Sequence, residues 1–261
     1  MCLLLVAHGV CPGYRLLVAA NRDEFHARPT APAHYWDDHP QLLGGRDLES
    51  GGTWLGLHAD GRFATVTNVR AGQPLRRGPR SRGLIVTDFL LAQHAAEVSA
   101  EQLAGTARDY DGFNLLGWDG RALVWYSNQV GAPQLLAHGI YTLSNAALDT
   151  PWPKTTRLRH GFAQVMERAD SDPIEPLLAL LRDATCAPDH ALPDTGIGYE
   201  RERLLSAIFI EGGSYGTRCS SVVTIDDHGQ VRFHERRYDD GAQISGDSYY
   251  EFALQRAQMR E

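Results

Sequence analysis

The chain has 261 residues, of which 43% are hydrophobic and 22% charged, a composition typical of soluble globular proteins. Its formal net charge of −7 argues against nucleic-acid binding, which favours a basic surface. No apolar stretch is long enough for stable membrane insertion, and the N-terminus lacks the basic flank of a signal peptide. The cysteines show no zinc-type spacing, so we expect reduced thiols and a cytoplasmic enzyme or binding protein. These cysteines are Cys2, Cys11, Cys186 and Cys219.

Strands dominate the first part of the chain. Residues 2–8 and 14–20 predict two strands joined by a tight turn. Residues 28–40 are rich in proline and histidine and lack periodicity, which predicts a loop. Residues 53–58 and 62–68 alternate apolar and polar side chains around a turn, which predicts a hairpin.

Helices and a second hairpin follow a basic loop. Residues 83–97 and 99–108 place apolar side chains at helical spacing, and each range predicts a helix. Residues 113–118 and 121–127 predict a hairpin, and residues 141–144 a short strand. The basic loop contains Arg70, Arg76, Arg77, Arg80 and Arg82.

The last third of the chain predicts three helices and then a third hairpin. Hairpins therefore come first, helices form blocks, and hairpins return. This order favours antiparallel sheets packed with helices over alternating βαβ units, and it predicts a single α+β domain over residues 1–261. The helices are predicted over residues 155–168, 174–182 and 199–208, and the hairpin strands over residues 220–225 and 231–238.

Cys2 directly follows the initiator methionine and opens an apolar run. A residue this small normally allows removal of the methionine. The product would carry a thiol and a free α-amine on one residue, a nucleophile and a base within reach of each other. The alternative is a small apolar residue that begins a strand, because cysteine is often buried.

Polar residues Asn21 to Glu24 lie at the end of the second predicted strand. Side chains alternate across a strand, so Asn21 and Asp23 should share one face, with Arg22 on the other. If the first two strands pair, Asp23 lies close to Cys2, where a carboxylate can hold an α-ammonium. Arg22 then points away from Cys2. The alternative is a strand end exposed to solvent.

Two asparagines and an arginine also lie at strand ends. Asn68 ends a predicted strand and Asn145 follows one, and a side-chain amide or backbone N–H there can stabilise an oxyanion. Asparagine is equally typical of turns. Arg218 precedes the third hairpin, and a cation near Cys2 would lower the pKa of its thiol. The alternative for Arg218 is a surface position.

Taken together, these segments resemble the NRDE family, also called the transport and Golgi organisation protein 2 family. Its signature matches Ala20–Phe25, which Arg28–Thr30 follows, and the resemblance extends from residue 2 to about residue 226. The other matching segments are Gly52–Gly56, Thr67–Arg70, Ser81–Gly83, Gly112–Leu116, Leu143–Ala146, Asp149–Lys154 and Tyr215–Arg218.

That family in turn resembles N-terminal-nucleophile hydrolases, especially the penicillin V acylase and bile-salt hydrolase branch. The resemblance implies a four-layer αββα sandwich and hydrolysis of a non-peptide carbon–nitrogen bond through a thioester. Cys2 would be the nucleophile, its α-amine the base, and Asp23 the group that orients the amine. The implied oxyanion hole consists of the Asn145 side chain and the Asn68 backbone N–H, and Arg218 would lie beside the thiol.

The alternative function is a cytosolic carrier of a small acidic, largely apolar ligand, such as haem or an acyl thioester. The family has been tied to Golgi organisation, lipid metabolism and haem trafficking. His8 and the Cys11-Pro12 pair are candidate haem ligands, but the sequence contains no Cys-x-x-Cys-His attachment motif. The alternative interpretation is that His8 is a strand residue and Cys11-Pro12 a turn. No cofactor or metal site is predicted apart from haem as a ligand.

The expected partner is a small molecule with an acidic group. Lys154, the single lysine of the chain, is the candidate contact for that group, and a surface lysine at a helix start is the alternative. Tryptophans either pack in the core or line a cleft. The candidate binding residues are Asn21, Arg22, Trp54, Arg70, Trp152 and Lys154.

Overall fold

A computed structural model describes residues 2–70, 78–168 and 172–254, with the backbone alone for Cys2. One antiparallel sheet of the described chain carries the first two strands of the chain near its centre. Its strands are β1 (Cys2–Cys11), β2 (Tyr14–Phe25), β10 (Gly139–Leu143), β11 (Tyr215–Asp226), β12 (Gln230–Tyr238) and β13 (Ile244–Ala253). They lie in the order β10-β1-β2-β11-β12-β13.

The second sheet is a meander in which each strand pairs with the next along the chain. This pattern follows from short connections between consecutive antiparallel strands. Its strands, in spatial and chain order, are β3 (Thr30–Tyr35), β4 (Leu42–Asp47), β5 (Leu55–His58), β6 (Phe63–Asn68), β7 (Phe113–Trp118), β8 (Leu123–Ser127) and β9 (Gln134–Leu136).

Helices cover the outer face of each sheet. Leu4 and Phe63 belong to the core between the sheets, whereas Leu3 belongs to a core that the first sheet shares with helices. Phe89 belongs to a third core, under the second sheet. The α+β class and the four-layer αββα sandwich are therefore confirmed. The helices are α1 (Gly83–Leu91) and α2 (Ala96–Thr106) on the second sheet, α3 (Pro153–Arg168) and α4 (Ile174–Leu180) on the first, and the short α5 (Tyr199–Leu204).

The predicted loop over residues 28–40 is wrong, because it contains β3. β3 is an edge strand, its register against β4 shifts between Ala31 and His34, and Pro32 lies within it. Edge strands tolerate proline, and a shifted register breaks the alternation that predicts a strand. The sequence also predicts no strand over the ranges of the interior strand β4 and the edge strands β9 and β13.

The three predicted hairpins are confirmed, and the five predicted helices are present with different bounds. The helix predicted over 83–97 ends at Leu91 because Ala92 has an extended backbone. The next helix begins at Ala96, whose N–H donates to Asp119 Oδ2 at 2.8 Å. That cap comes from a different part of the chain, so the local pattern does not contain it.

Within the three described ranges, no helix combines the length and the apolar character needed to cross a membrane. Arg70, Arg80 and Arg82 of the predicted basic loop lie among the described residues. Arg76 and Arg77 lie outside them.

Candidate functional site

The ladder between β1 and β2 fixes the surroundings of position 2. Cys2 pairs with Arg22, and Leu3 pairs with Asn21. Leu4, two residues after Cys2, packs in the core between the sheets. Positions 2 and 4 share a face of β1, and position 22 shares it too, because directly paired positions of antiparallel strands face the same side.

The expectation that Arg22 points away from Cys2 is therefore wrong. Alternation correctly placed Asn21 and Arg22 on opposite faces of β2. It relates residues within one strand, however, and a register is needed to relate two strands. The observed register places position 22 directly opposite position 2, so the cation adjacent to position 2 in the ladder belongs to Arg22.

Arg22 is buried and held by three contacts. Its guanidinium lies 4.1 Å from the ring centroid of Trp54 and donates to Thr30 Oγ1 at 3.2 Å. Its Nη2 is 3.6 Å from Asp47 Oδ2. Arg22 and Trp54 line one cavity of about 440 Å³, which we call the inter-sheet cavity. The structure thus brings two of the predicted binding residues together, and Asn68 lines the same cavity.

Asp23 is 1% exposed and lies beside a threonine of the neighbouring strand. Thr217 Oγ1 donates to Asp23 Oδ1 at 2.7 Å, and Tyr215 Oη donates to the Asp23 backbone oxygen at 3.0 Å. Burial raises the pKa of the Asp23 carboxyl, and the positive charges of Lys154 and Arg70 oppose that rise. Asp23 is therefore a fixed carboxyl group close to two buried cations.

Lys154 lies in the first turn of α3 and is 1% exposed. The alternative of a surface lysine is therefore wrong. Hydropathy predicts exposure for lysine, and the compensating carboxylate lies more than a hundred residues away in sequence. The buried ammonium of Lys154 stabilises the charged form of Asp23, because its positive charge opposes the rise in the pKa of that carboxyl.

Arg70 forms a buried ion pair that the sequence did not predict. Its Nη1 donates to Glu202 Oε2 at 2.9 Å, and each side chain is 4% exposed. The guanidinium lies 4.8 Å from the ring centroid of Trp152. Burial lowers the pKa of Arg70, and Glu202 opposes that change. Thr195 N–H donates to the other oxygen of Glu202 at 2.7 Å, so the carboxylate is fixed at both ends.

Asn68 and Asn145 lie together, as the implied oxyanion hole requires. Asn145 Nδ2 donates to the Asn68 backbone oxygen at 2.9 Å, and its Oδ1 accepts from Ser144 Oγ at 3.2 Å. The Asn145 backbone oxygen accepts from Arg70 N–H at 2.7 Å. An amide carries two N–H groups, and the bond to Asn68 uses one of them.

Asn21 lies on the helix side of the first sheet. Its Nδ2 donates to the backbone oxygens of Leu181 and Ile208, both at 2.8 Å. Its Oδ1 accepts from Ser220 Oγ at 2.6 Å. Both amide hydrogens are thus used inside the protein, where they connect the sheet to the segments that follow α4 and α5.

Arg218 occupies a β-bulge. The register between β11 and β2 shifts between Thr217 and Cys219, so Arg218 is the additional residue. Its Nη1 donates to the backbone oxygens of Phe25 at 2.9 Å and Arg28 at 3.2 Å. The Arg218 side chain therefore supports the turn after β2. Its implied role beside the Cys2 thiol remains a prediction.

A second cysteine flanks Arg22 from the opposite side. Cys219 pairs with Arg22 and is buried, and its thiol hydrogen-bonds to the buried Glu235. Glu235 Oε1 also accepts from Ala33 N–H at 2.8 Å, and burial raises the pKa of this carboxyl. Strands β11 and β12 are adjacent, and Glu235 pairs with Ser221, two residues after Cys219, so the two side chains are diagonal neighbours on one face of the predicted third hairpin.

The candidate haem ligands lie at the far end of β1. His8 and Cys11 line a separate cavity of about 480 Å³ next to the turn between β1 and β2. The His8 ring lies 4.8 Å from that of His138, centroid to centroid. Six residues of strand separate position 2 from His8, which corresponds to about 20 Å. These two residues are therefore not part of the inter-sheet cavity.

Comparison with known proteins identifies the family. The chain is 37% identical over 240 residues to the transport and Golgi organization protein 2 homolog of Bos taurus, covering 85% of this chain and 86% of that protein. It is 35% identical over 260 residues to the Homo sapiens homolog, covering 93% and 94%. A similar solved structure is the Caenorhabditis elegans ortholog of N-acylethanolamine-hydrolyzing acid amidase, with a TM-score of 0.45, 11% identity, and coverage of 69% and 85%. The sequence profile of the transport and Golgi organisation 2 family matches residues 1–240, and the chain belongs to that family.

Proposed function

We propose that the protein is a cysteine N-terminal-nucleophile amidohydrolase acting on a small molecule that carries an acidic group. The observation that supports this best is the register of the first sheet. It pairs position 2 with the buried cation Arg22 and places the buried carboxyl of Asp23 next in the strand. A thiol nucleophile requires reducing conditions, so the proposal includes a cytoplasmic location.

The reaction begins after removal of Met1, with the α-amine of Cys2 as the base. The amine accepts the thiol proton, and the thiolate attacks the carbonyl carbon of the substrate amide. The carbon–nitrogen bond breaks, the leaving amine takes the proton, and the acyl group remains as a thioester on Cys2. Water then attacks the thioester, which releases the acid and restores the thiol. In this scheme Asp23 orients the α-amine.

The tetrahedral intermediates carry a negative oxygen that needs hydrogen-bond donors. We assign this role to the Asn145 side chain and the backbone N–H of Asn68. The contact between the two residues supports the assignment, because Asn145 Nδ2 lies 2.9 Å from the Asn68 backbone oxygen and thus places the two groups together.

Arg22, more than Arg218, suits the role of the cation that stabilises the thiolate. Arg22 lies opposite position 2 in the ladder, and Trp54 and Asp47 fix its guanidinium. Arg218 donates to backbone oxygens of the turn after β2. A nearby fixed cation lowers the pKa of a thiol and increases the thiolate fraction at neutral pH.

The proposal is tested by the rate at which Cys2 reacts with iodoacetamide at pH 7, followed by peptide mass spectrometry. The exposed Cys186 serves as the internal reference. We expect Cys2 to react faster than Cys186. In the Arg22→Met variant Cys2 should react about tenfold more slowly, which corresponds to a rise of about one unit in the pKa of its thiol. Arg22→Lys keeps the charge and should slow Cys2 less.

Equal rates for Cys2 and Cys186 would overturn the proposed activation of the thiol. A thiol that is alkylated slowly, in a protein that still binds a small acidic ligand, would favour the carrier function instead.

A further inference from the structure

A second cavity adjoins the inter-sheet cavity at the candidate oxyanion hole. Its volume is about 490 Å³, within the usual range for small-molecule sites. Asn68 and Arg82 line both cavities, so the two spaces meet at these residues. The walls of the second cavity are largely apolar and include Phe25, Val69, Ile197, Leu204 and Leu205.

The charged residues that line this second cavity are arginines. Arg70, Arg82 and Arg201 belong to its wall, and its described lining contains neither Asp nor Glu. Arg70 is paired with Glu202, whereas Arg201 is exposed at the cavity wall. An oxyanion is a strong acceptor for a guanidinium, so this set of arginines favours an acidic ligand.

We infer that the second cavity binds an amphipathic acid, with its oxyanion head at the arginines and its apolar chain along Leu204 and Leu205. Glu202 and Trp152 hold the Arg70 guanidinium in place, so little side-chain entropy is lost on binding. Only the link to catalysis rests on the proposed function: a ligand here would reach Asn68, where the acyl carbon of a substrate would be polarised. Binding itself does not require Cys2.

Carboxylates and phosphate monoesters both pair with guanidinium groups, so the test compares the two. Calorimetric titrations of the full-length Cys2→Ala variant use decanoate, decyl phosphate and the uncharged decanol. We expect at least one anion to bind at least tenfold more tightly than decanol, and the tighter of the two identifies the head group. Binding of decanol as tight as that of both anions would overturn the inference.

Two exposed arginines of α5 provide matched variants. Arg201 lines the cavity and Arg203 does not, although both carry the same charge on the same helix. Arg201→Ala should weaken binding of the anion about fivefold, which corresponds to about 1 kcal/mol, and Arg203→Ala should leave it unchanged. If both variants lose the same anion affinity, the arginines act only through long-range charge, which would contradict a site in this cavity.

The outcomes for the two proposals are separable. If the Cys2→Ala protein binds the anion while the native Cys2 reacts no faster than Cys186, the cavity is confirmed and the hydrolase proposal fails. If Cys2 is hyper-reactive while neither anion binds, the hydrolase proposal survives and this inference fails.

Discussion

Replacing Lys154 by methionine tests the buried charges around Asp23. Lys154 and Asp23 are each 1% exposed, and the ammonium opposes the rise in the pKa of the carboxyl. Removing one member of a buried pair of opposite charges costs about 3–5 kcal/mol. Arg70 also contributes positive charge at Asp23, so we expect about 3 kcal/mol of lost stability for Lys154→Met at pH 7.

The pH dependence of this loss follows from the raised pKa of Asp23. A carboxyl with a higher pKa in the folded state favours folding when it is protonated. Its contribution is complete below the unfolded pKa of about 3.9 and is lost as the pH rises through the folded pKa. Without Lys154 the folded pKa rises further. The penalty should therefore be small near pH 4 and largest near pH 7.

Urea unfolding at pH 4.5 and pH 7.5 measures the free energy of unfolding for the native protein, Lys154→Met, Asp23→Asn and the double variant. We expect the double variant to lose at least 1 kcal/mol less free energy of unfolding than the two single variants lose together, because the two charges interact. The control is Arg159→Met on the same helix. Its ion pair with Asp149 is exposed, with side chains 41% and 39% accessible, so the loss should stay below about 1 kcal/mol. Additive, pH-independent losses would show that the charges of Lys154 and Asp23 do not interact.

Further predictions concern residues outside this pair. Asn21→Ala leaves two buried backbone oxygens without their donor and should cost about 2–4 kcal/mol in urea unfolding. Gly117→Ala brings a methyl group into the Phe89 ring and should cost about 1–3 kcal/mol, whereas Gly105→Ala, in an open helical position, should stabilise by up to about 1 kcal/mol. Burial raises the pKa of Glu235, so the native protein loses stability as the pH rises and this carboxyl ionises. The free energy of unfolding of Glu235→Gln, relative to that of the native protein, should therefore increase between pH 5 and pH 8. A constant difference across that range would contradict the assigned cause.

The elements that the sequence predicted best are those with a local cause. The hairpins around residues 59–61 and 119–120 show alternating side chains on both sides of a short turn, and both are present. β3 carries Pro32 and an irregular register at a sheet edge, so its local pattern resembles a loop.

The candidate site also contains residues that the sequence identifies and contacts that it does not predict. Asp23, Asn68 and Asn145 lie at strand ends that the sequence identifies, and the structure places the two asparagines in contact. Glu202 meets Arg70 across 132 positions of sequence, and neither residue signals the other. These long-range partners depend on how the sheets and helices pack.

The position of Arg22 depends on the pairing between two strands. Alternation along β2 gives the face of Arg22 relative to Asp23 and leaves its relation to β1 open. The ladder places it opposite position 2, and this changes the candidate for the cation that stabilises the thiolate from Arg218 to Arg22.

The central claim is that Cys2 is an N-terminal nucleophile with a free α-amine. The most direct measurement is the intact mass and N-terminal peptide of the purified protein, before and after brief treatment with a substoichiometric thiol-reactive probe. We expect a chain that begins at Cys2 and carries one adduct, on Cys2. A retained Met1, or an adduct on the exposed Cys186 in preference to Cys2, would contradict it.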